Sequence, residues 1–359
     1  MSKIGHLLAA YRELQQNPRP MVLATIVETV GSTYQKPGAR MLIAPNGELT
    51  GLLGGGCFEQ DLVAHAQTVF ANGSAKSVFY DMRTAEDEVW GLGNGCNGAV
   101  RIFLQLLREE HDFSPLNLIA AAADSHRPGV LVTVCESEHP DFPVSGSLLL
   151  DGEQAQFGDF AAQTLPAKSH LQTHVIARRS VTAFHDWLTP PLRLLILGAG
   201  ADAEPLLACA KMLGWNVAVA DHRPGYLSKE RFSKADVLIH LAPHDLSAFL
   251  HDRRFDATVL MTHNLDYDRR FLAVLASSAI GFIGLLGPVT RRERLLHALD
   301  VDDKLRSRLY GPVGLDLGAE TPDEIALSIV AGILAALSGR GGGQLRELGS
   351  TVAGADICG

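Results

Sequence analysis

The stretch LRLLILGAGADAEPLLACAKMLGWNVAVAD, residues 192–221, decides the fold of the second half of the chain. It begins with a continuous apolar run, which is typical of a strand buried in a parallel sheet. The turn Gly198-Ala199-Gly200 follows, and then come an apolar helix and a second strand that ends at Asp221. A G-x-G-x-x-G/A turn between a strand and a helix, with an acid about 20 residues later, is typical of a dinucleotide-binding unit.

Further apolar runs at residues 237–240, 257–262 and 281–286 alternate with helical segments. Because strands that alternate with helices favour a doubly wound parallel sheet, we predict an α/β protein with a C-terminal Rossmann-like domain at residues 192–338. The double proline Pro190-Pro191 indicates a stiff linker at residues 188–191. The glycine-rich tail at residues 339–359, which includes Cys358, is predicted to be disordered.

Residues 1–187 mix strand and helix patterns and are predicted to form an N-terminal α+β domain. A run rich in β-branched residues at 21–30 predicts a strand, and Asn46-Gly47 predicts a hairpin turn. The glycine run at residues 54–56 leads into an amphipathic helix that ends at Asn72-Gly73.

Composition narrows the function classes. The 359 residues suffice for about two or three domains. The formal net charge of −9 argues against a nucleic-acid partner, which needs clustered cations. No apolar run is long enough to span a membrane, and the N-terminus has charges where a signal peptide would be apolar. We therefore expect a cytoplasmic protein without a membrane partner.

The chain has five cysteines, which are far apart: Cys57, Cys96, Cys135, Cys209 and Cys358. The sequence contains no CxxC pair, which argues against a zinc ribbon, and a sparse, odd number of cysteines argues against a disulfide framework. Cys57 follows the glycine run at the predicted start of a helix, where free N–H groups and the helix dipole favour an anion and a thiolate. Cys96 lies between Gly95 and Gly98 in a second glycine-rich loop. A thiolate suits a soft metal or a transferred sulfur, whereas the alternative is a small buried hydrophobe at a close-packed turn.

The Rossmann-like half offers a second candidate site. Gly198 and Gly200 allow a pyrophosphate to approach the backbone, and Asp221 suits a ribose hydroxyl. His263 follows a predicted strand and should lie at the same crevice, since ligands bind beyond the carboxyl ends of strands. Carboxylates at Asp202 and Glu204 oppose an anion there, so a fold of this type that binds no nucleotide remains an alternative.

Three arginines follow Gly287-Pro288 and suit either a phosphate or a solvated helix face: Arg291, Arg292 and Arg294.

The segments GLLGGGCFEQDLV (residues 51–63) and GLGNGCNGAVRI (residues 91–102) resemble the first domain of the XdhC/CoxI family. Residues 194–224 and GLDLGAETPDEIALSIVAGIL (residues 314–334) resemble its Rossmann-like second domain. The similar segments stand in the family's order and cover most of residues 20–338, so the chain is identified as a member of this family.

The resemblance implies a maturation factor and not an enzyme. Proteins of this family bind the molybdenum cofactor, as molybdopterin or its cytosine dinucleotide form. They protect it while a cysteine desulfurase supplies sulfur, and they deliver it to a molybdenum hydroxylase of the xanthine dehydrogenase type. They are commonly dimeric, so a homodimer is implied.

Matched residue by residue, the resemblance implies cofactor contacts in both domains. Cys57 and Cys96 would touch molybdenum or sulfur, and Thr262-His263 matches a Thr-His pair after a later strand. One departure is that the family often has His after the Gly-x-Gly, where this chain has Ala201 and then Asp202, which weakens the case for a bound dinucleotide. The full set of matched positions is Gly55, Gly56, Cys57, Glu59, Gly95, Cys96, Gly98, Gly198, Gly200, Asp221, Thr262 and His263.

Two other functions remain open on the sequence alone. The main rival is an NAD(P)-dependent oxidoreductase that binds NAD(P) or another nucleotide in the Rossmann-like domain and uses His263 as a proton relay. The other is an interaction protein that docks a dehydrogenase and carries no cargo. The fold is compatible with each of these functions.

Overall fold

The computed structural model describes residues 4–54, 56, 58–83, 98–125, 127–151, 156–157, 160–161, 168–299 and 303–344. Gly55, Cys57, Gly95 and Cys96 lie outside the described residues. The chain divides between Pro190 and Pro191 into two compact units, which we call the first and second unit. This division falls inside the linker expected at residues 188–191, although Leu188 is the last residue of a strand.

A five-stranded antiparallel sheet forms the centre of the first unit, in the order β3-β2-β1-β5-β4. The predicted hairpin joins β2 to β3, and Gly47 takes a φ of +83°, which glycine adopts without strain. The strands are β1 (Met21–Gly31), β2 (Arg40–Ile43), β3 (Leu49–Gly51), β4 (Lys76–Asp81) and β5 (Gly98–Leu107).

Helices cover both faces of this sheet, which explains why β1 is apolar along most of its length. The helices are α1 (Gly5–Gln16), α2 (Glu59–Asn72) and α3 (Leu116–Ser125). Leu23 packs with α1 and α3, whereas its neighbour Val22 packs with α2 on the other face. Because successive side chains of a strand point to opposite faces, both must be apolar here.

A second antiparallel sheet, in the order β10-β11-β6-β7, completes the first unit. Its strands are β6 (Gly129–Ser137), β7 (Ser147–Asp151), β10 (His170–Ile176) and β11 (Arg179–Leu188), and a separate ribbon pairs β8 (Gln156–Phe157) with β9 (Phe160–Ala161). A buried ion pair of 2.6 Å between Arg40 of β2 and Asp186 of β11 ties the two sheets together.

The second unit is a six-stranded parallel sheet in the order β14-β13-β12-β15-β16-β17, which confirms the doubly wound fold. The strand order reverses between β12 and β15, the usual place for a ligand crevice in such sheets. The strands are β12 (Arg193–Leu197), β13 (Asn216–Asp221), β14 (Val237–His240), β15 (Ala257–Leu260), β16 (Phe282–Leu285) and β17 (Leu309–Tyr310).

Helices lie on both faces of this sheet. One face is covered by α4 (Ala203–Met212) and α9 (Pro322–Leu337), and the other by α5 (Leu246–His251), α6 (Leu265–Ala276) and α7 (Val289–Leu299). A single turn, α8 (Asp303–Arg306), precedes β17. The predicted capping box is present at α9, where Thr321 and Glu324 satisfy each other's backbone N–H groups.

No helix within the described ranges is long and apolar enough to cross a membrane. Residues 345–359 lie outside those ranges, so the disorder of the tail stays a prediction.

Candidate functional site

The glycine turn in front of α2 is folded around the carboxylate of Glu59. Oε1 accepts a hydrogen bond of 2.7 Å from the N–H of Gly54, and Oε2 accepts from Gly56 at 2.9 Å and from Phe58 at 3.3 Å. The Glu59 residue is only 6% exposed. Backbone N–H groups at the start of a helix favour a negative charge, and here the protein supplies that charge itself.

The expected free N–H groups are therefore not free in this turn. The N–H groups of Gly54, Gly56 and Phe58 donate to Glu59, so its carboxylate lies where an external anion was expected. Sequence reasoning placed Glu59 at the cofactor, and the contacts show it organising the backbone on either side of Cys57. The predicted roles of Gly55 and Cys57 fall outside the described residues.

An aromatic contact between Phe58 and Tyr80 also holds the glycine turn before α2 in place. The Phe58 ring stacks on Tyr80 of β4, with ring centroids 4.8 Å apart. A Cβ atom on Gly54 would lie 2.5 Å from Cε1 of this ring, so only glycine fits there. The Tyr80 hydroxyl donates to Asp61 at 2.6 Å, and burial, followed by this bond, raises the pKa of Tyr80. The phenol therefore stays protonated and holds its ring in place.

Of the second glycine-rich loop, at residues 91–98, only the last residue lies within the described residues. Gly98 is the first residue of β5 and pairs with Gly31 of β1. A Cβ on Gly98 would approach the carbonyl oxygen of Val30 to 2.8 Å, so glycine is required by close backbone packing. Gly95 and Cys96 lie outside the described residues, and their roles stay predictions.

In the second unit the structure brings all five predicted positions to the carboxyl edge of the central strands. Gly198 has a φ of +125°, and a Cβ there would lie 2.9 Å from the backbone nitrogen of Thr262. A Cβ on Gly200 would lie 3.6 Å from Nε2 of His263. The turn after β12 thus packs directly against the end of β15, at the point where the strand order reverses.

Asp221 is buried beneath this turn with both oxygens engaged. Oδ2 accepts from the N–H of Ala199 at 2.7 Å and from Arg223 at 2.9 Å, while Oδ1 accepts twice more from Arg223. Burial opposes its ionisation, but the bonds from Arg223 and Ala199 outweigh burial and hold the pKa of Asp221 below its usual value. The predicted ribose contact would have to displace one of these donors.

The carboxylate at Asp202, expected to repel an anion, is held in place by His263. Nε2 of His263 lies 2.8 Å from Oδ2 of Asp202. His263 has a φ of +57°, a left-handed conformation that costs energy for any residue except glycine. The Asp202–His263 pair therefore bridges the turn after β12 and the loop after β15.

Thr262 is directed away from this pair into a buried network. Its hydroxyl donates to Asp268 of α6 at 2.6 Å, and Arg291 donates to the other oxygen of Asp268 at 2.6 and 3.2 Å. Asp268 is 1% exposed. Arg291 is therefore committed to a structural carboxylate, and Arg292 contacts Glu293 and the carbonyl oxygen of Gly311.

Sequence reasoning missed an aromatic pair at the same edge. His222, directly after β13, stacks on Tyr267 of α6 with ring centroids 3.6 Å apart. Burial lowers the pKa of His222, so this ring is expected to be neutral. The available signal was an aromatic ring close in sequence to two of the predicted site residues, since His222 follows Asp221 and Tyr267 lies four residues after His263.

The described thiols are not candidates for cofactor chemistry. Burial raises the pKa of Cys135 to about 12, and burial together with Asp323 raises the pKa of Cys209. A thiol with a raised pKa is a poor nucleophile and a poor metal ligand. Among the residues that the structure describes, no three histidine, cysteine or acidic side chains converge to hold a metal ion.

Comparisons with known proteins agree with the fold. A family model described as "XdhC and CoxI family" matches residues 14–81, and one described as "XdhC Rossmann domain" matches residues 194–333. A protein of Bacillus subtilis (strain 168), named as a probable xanthine dehydrogenase subunit, is 33% identical over 331 residues, or 92% of this chain and 97% of that protein.

Two further similarities extend over most of the chain. The Escherichia coli (strain K12) "Molybdenum cofactor insertion chaperone PaoD" is 22% identical over 314 residues, which cover 86% of this chain and 81% of PaoD. A crystal structure from Bacillus halodurans, described as a xanthine dehydrogenase, superposes with a TM-score of 0.74 at 29% identity, covering 95% of this chain and 97% of that one.

Proposed function

The chain belongs to the XdhC and CoxI family, and we propose that it is a chaperone for the molybdenum cofactor of a xanthine dehydrogenase-type hydroxylase. In this proposal it binds the cofactor, protects it while a cysteine desulfurase supplies sulfur, and delivers it to the hydroxylase. It acts as a maturation factor and not as an enzyme, as a homodimer in the cytoplasm.

The observation that carries this proposal is similarity along nearly the whole chain. One such relative is named as a probable xanthine dehydrogenase subunit, and a second is named as a molybdenum cofactor insertion chaperone. Both units are covered, so the likeness is not confined to the widespread Rossmann-like fold, which hosts many functions.

We assign the metal or sulfur contact to Cys57 and Cys96. The cofactor supplies a dithiolene, a phosphate and a molybdenum centre, and thiolates are suitable ligands for a soft metal. The backbone beside Cys57 is rigidly placed, because Gly56 and Phe58 both donate to Glu59. Because a cysteine that binds a metal loses its proton, we expect the thiolate to form on contact with the metal.

The phosphate of the cofactor does not fit the glycine-turn donors as they stand. The N–H groups of Gly54, Gly56 and Phe58 are bonded to Glu59, and the N–H of Ala199 is bonded to Asp221. We therefore propose that binding depends on the cysteines, and we assign no phosphate contact to either turn. The same contacts give no support to a dinucleotide form of the cargo.

Cofactor retention tests the proposal directly. The full chain, Cys57→Ala, Cys96→Ala and the control Cys209→Ala are purified from a host that makes molybdenum cofactor. Molybdenum is measured by mass spectrometry and pterin by fluorescence after oxidation. We expect retention by the parent and by Cys209→Ala, and loss in the other two variants. Equal retention in all four proteins would remove both cysteines from the binding role, and no pterin or molybdenum in the parent would refute the chaperone.

The partner and the rival function need separate measurements. Co-purification with the molybdenum hydroxylase of the same genome tests delivery, and transfer of persulfide sulfur from a cysteine desulfurase to the bound cofactor tests sulfuration. An NAD(P)-dependent oxidoreductase would bind a nicotinamide nucleotide in calorimetry and reduce or oxidise it. We expect no such binding, because Asp221 already accepts from the N–H of Ala199 in the turn that would hold the phosphates, and Asp202 places a carboxylate there.

A further inference from the structure

Three histidines share one face of the ribbon formed by β10 and β11 in the first unit. His170 and His174 lie on β10, which is the edge strand of the second sheet, with Gln172 between them. Side chains at every second residue of a strand point to the same face. His185 of β11 lies directly opposite His170 in the antiparallel register. The sequence HLQTHVI and one residue of the next strand therefore place three imidazoles side by side.

Two of these imidazoles approach each other through their Nε2 atoms. The Nε2 atoms of His174 and His185 are 3.1 Å apart, and their ring centroids are 5.2 Å apart. His170 stacks on the other ring, with its centroid 5.2 Å from that of His185 and its plane within 12°. Nε2 of His170 lies 3.2 Å from the amide oxygen of Gln172. His174 and His185 thus form the close pair, and His170 supports it.

This separation is the one that a chelated metal ion requires. A first-row transition metal binds an imidazole nitrogen at about 2.0–2.1 Å, so two ring nitrogens in adjacent coordination positions lie about 3 Å apart. Small rotations of the two rings about their Cβ–Cγ bonds would aim both lone pairs at a common point. A neutral imidazole with its proton on Nδ1 offers the lone pair of Nε2 to a metal ion.

The charge state of the pair also suits a metal. Burial, with His174 and His170 as neighbours, lowers the pKa of His185 to about 4, and burial lowers the pKa of His174. Both rings are therefore neutral at pH 7, and neutral imidazole is the form that binds metal ions.

We propose that His174 and His185 form a binding site for a divalent transition metal ion of the Cu²⁺, Ni²⁺ and Zn²⁺ class. Imidazole ligands select these ions over Mg²⁺ and Ca²⁺, which prefer oxygen. The two imidazole nitrogens of this close pair are the ligands that the proposal assigns to the ion. The site is independent of the cofactor proposal, because it uses neither Cys57 nor Cys96.

Copper binding tests the site. The full chain carries Cys57→Ser, Cys96→Ser and Cys358→Ser, so that thiols at positions outside the described ranges do not compete for the ion. This parent is compared with His174→Gln and His185→Gln by calorimetric titration with Cu²⁺. The control is His251→Gln, because His251 lies in the second unit and its side chain is 84% exposed.

We expect one Cu²⁺ per chain in the parent and in the control, and binding at least about tenfold weaker in each of the other two variants. Circular dichroism establishes that each variant is folded. Electron paramagnetic resonance of the parent, labelled with ¹⁵N-histidine, counts the bound imidazoles and needs no variant. Unchanged affinity in a folded His174→Gln or His185→Gln would overturn the proposal, and so would fewer than two imidazoles on the copper of the parent.

Discussion

Replacing Glu59 with alanine is expected to destabilise the first unit by about 3 kcal/mol. Two of its hydrogen bonds are short, at 2.7 Å to Gly54 and 2.9 Å to Gly56, and the third is long, at 3.3 Å to Phe58. A hydrogen bond to a charged group contributes about 1.5–3 kcal/mol, so the two short bonds set an upper range of about 3–6 kcal/mol. In the variant, water can replace the lost carboxylate at the part-buried N–H of Gly56. The expected loss of stability therefore lies at the lower end of that range.

Glu59→Gln should cost less, roughly half as much. The amide keeps one oxygen that accepts from the backbone, while its NH₂ group faces a donor and loses that bond. Urea unfolding followed by circular dichroism and tryptophan fluorescence measures both variants, with the transition of each unit fitted separately. The matched control is Glu110→Ala in the same unit, since Glu110 is exposed and its ion pair with Arg108 is 3.4 Å long. Such a surface pair is expected to change stability by less than about 0.5 kcal/mol.

Two outcomes would contradict this reasoning. Glu59→Ala as stable as the control would mean that the carboxylate does not hold the turn, and so would Glu59→Gln less stable than Glu59→Ala. Cofactor retention is a second measurement on the same variants. Retention and stability should fall together if Glu59 acts through the turn, whereas loss of retention in a fully stable Glu59→Gln would assign Glu59 to direct contact with the cofactor.

Three further predictions follow from other contacts. The free energy of unfolding in urea should be about 1–2 kcal/mol higher for His263→Gly than for His263→Ala, because only glycine adopts the φ of +57° at this position without strain; equal stability of the two variants would contradict the strain. Arg40→Met should cost about 3–5 kcal/mol, because it leaves the buried carboxylate of Asp186 without a cation and, among the described residues, with only the hydroxyl of Ser169 as a donor, and adding Asp186→Leu should restore most of this stability in the same urea assay; a double variant as unstable as the single one would show that the ion pair is not the cause. Cys135 should resist iodoacetamide at pH 8 in the native protein and react in urea, as mapped by mass spectrometry, because burial raises its pKa to about 12; equal labelling in both states would contradict this burial.

The fold of the second unit was predictable because its signals are local. A continuous apolar run, a glycine turn and a helix follow one another within residues 192–213, and each has its own period and composition. The strand predicted at residues 237–240 has those bounds in the structure, whereas the one predicted at residues 257–262 is two residues too long, since β15 ends at Leu260. Those extra residues, Met261 and Thr262, continue the apolar and β-branched pattern but bend away to meet the turn after β12.

The contacts of the candidate site were not predictable in the same way. The position of Asp221 was expected from its distance to the glycine turn, but its partners Ala199 and Arg223 depend on the rotamers of two side chains. Glu59 was expected to face a ligand, and it folds back on residues within five positions of itself. Residue type and spacing identify a carboxylate near a turn, and they do not specify whether it points outward or into the turn.

Contacts between residues that are far apart in the chain were even less predictable from the sequence. Arg40 and Asp186 belong to different sheets, and no periodicity connects them. The order β3-β2-β1-β5-β4 joins strands that are distant in the chain, because β5 inserts between β1 and β4. The proximity of His174 to His185 likewise became visible only from the side-chain contact between β10 and β11, since the register places His185 opposite His170.

Glu59 and Asp221 have a common consequence for how these glycine turns respond to their surroundings. Each turn already contains a competitor that is attached to the chain and does not diffuse away, so its effective concentration exceeds the millimolar values typical of flexible tethers. Phosphate or sulfate at ordinary buffer concentrations should therefore leave both turns unchanged. Added salt weakens attractions between separate charges over a Debye length of about 10 Å at 0.1 M, and it has little effect on buried hydrogen bonds. We expect the two turns to keep one shape across a wide range of ionic strength.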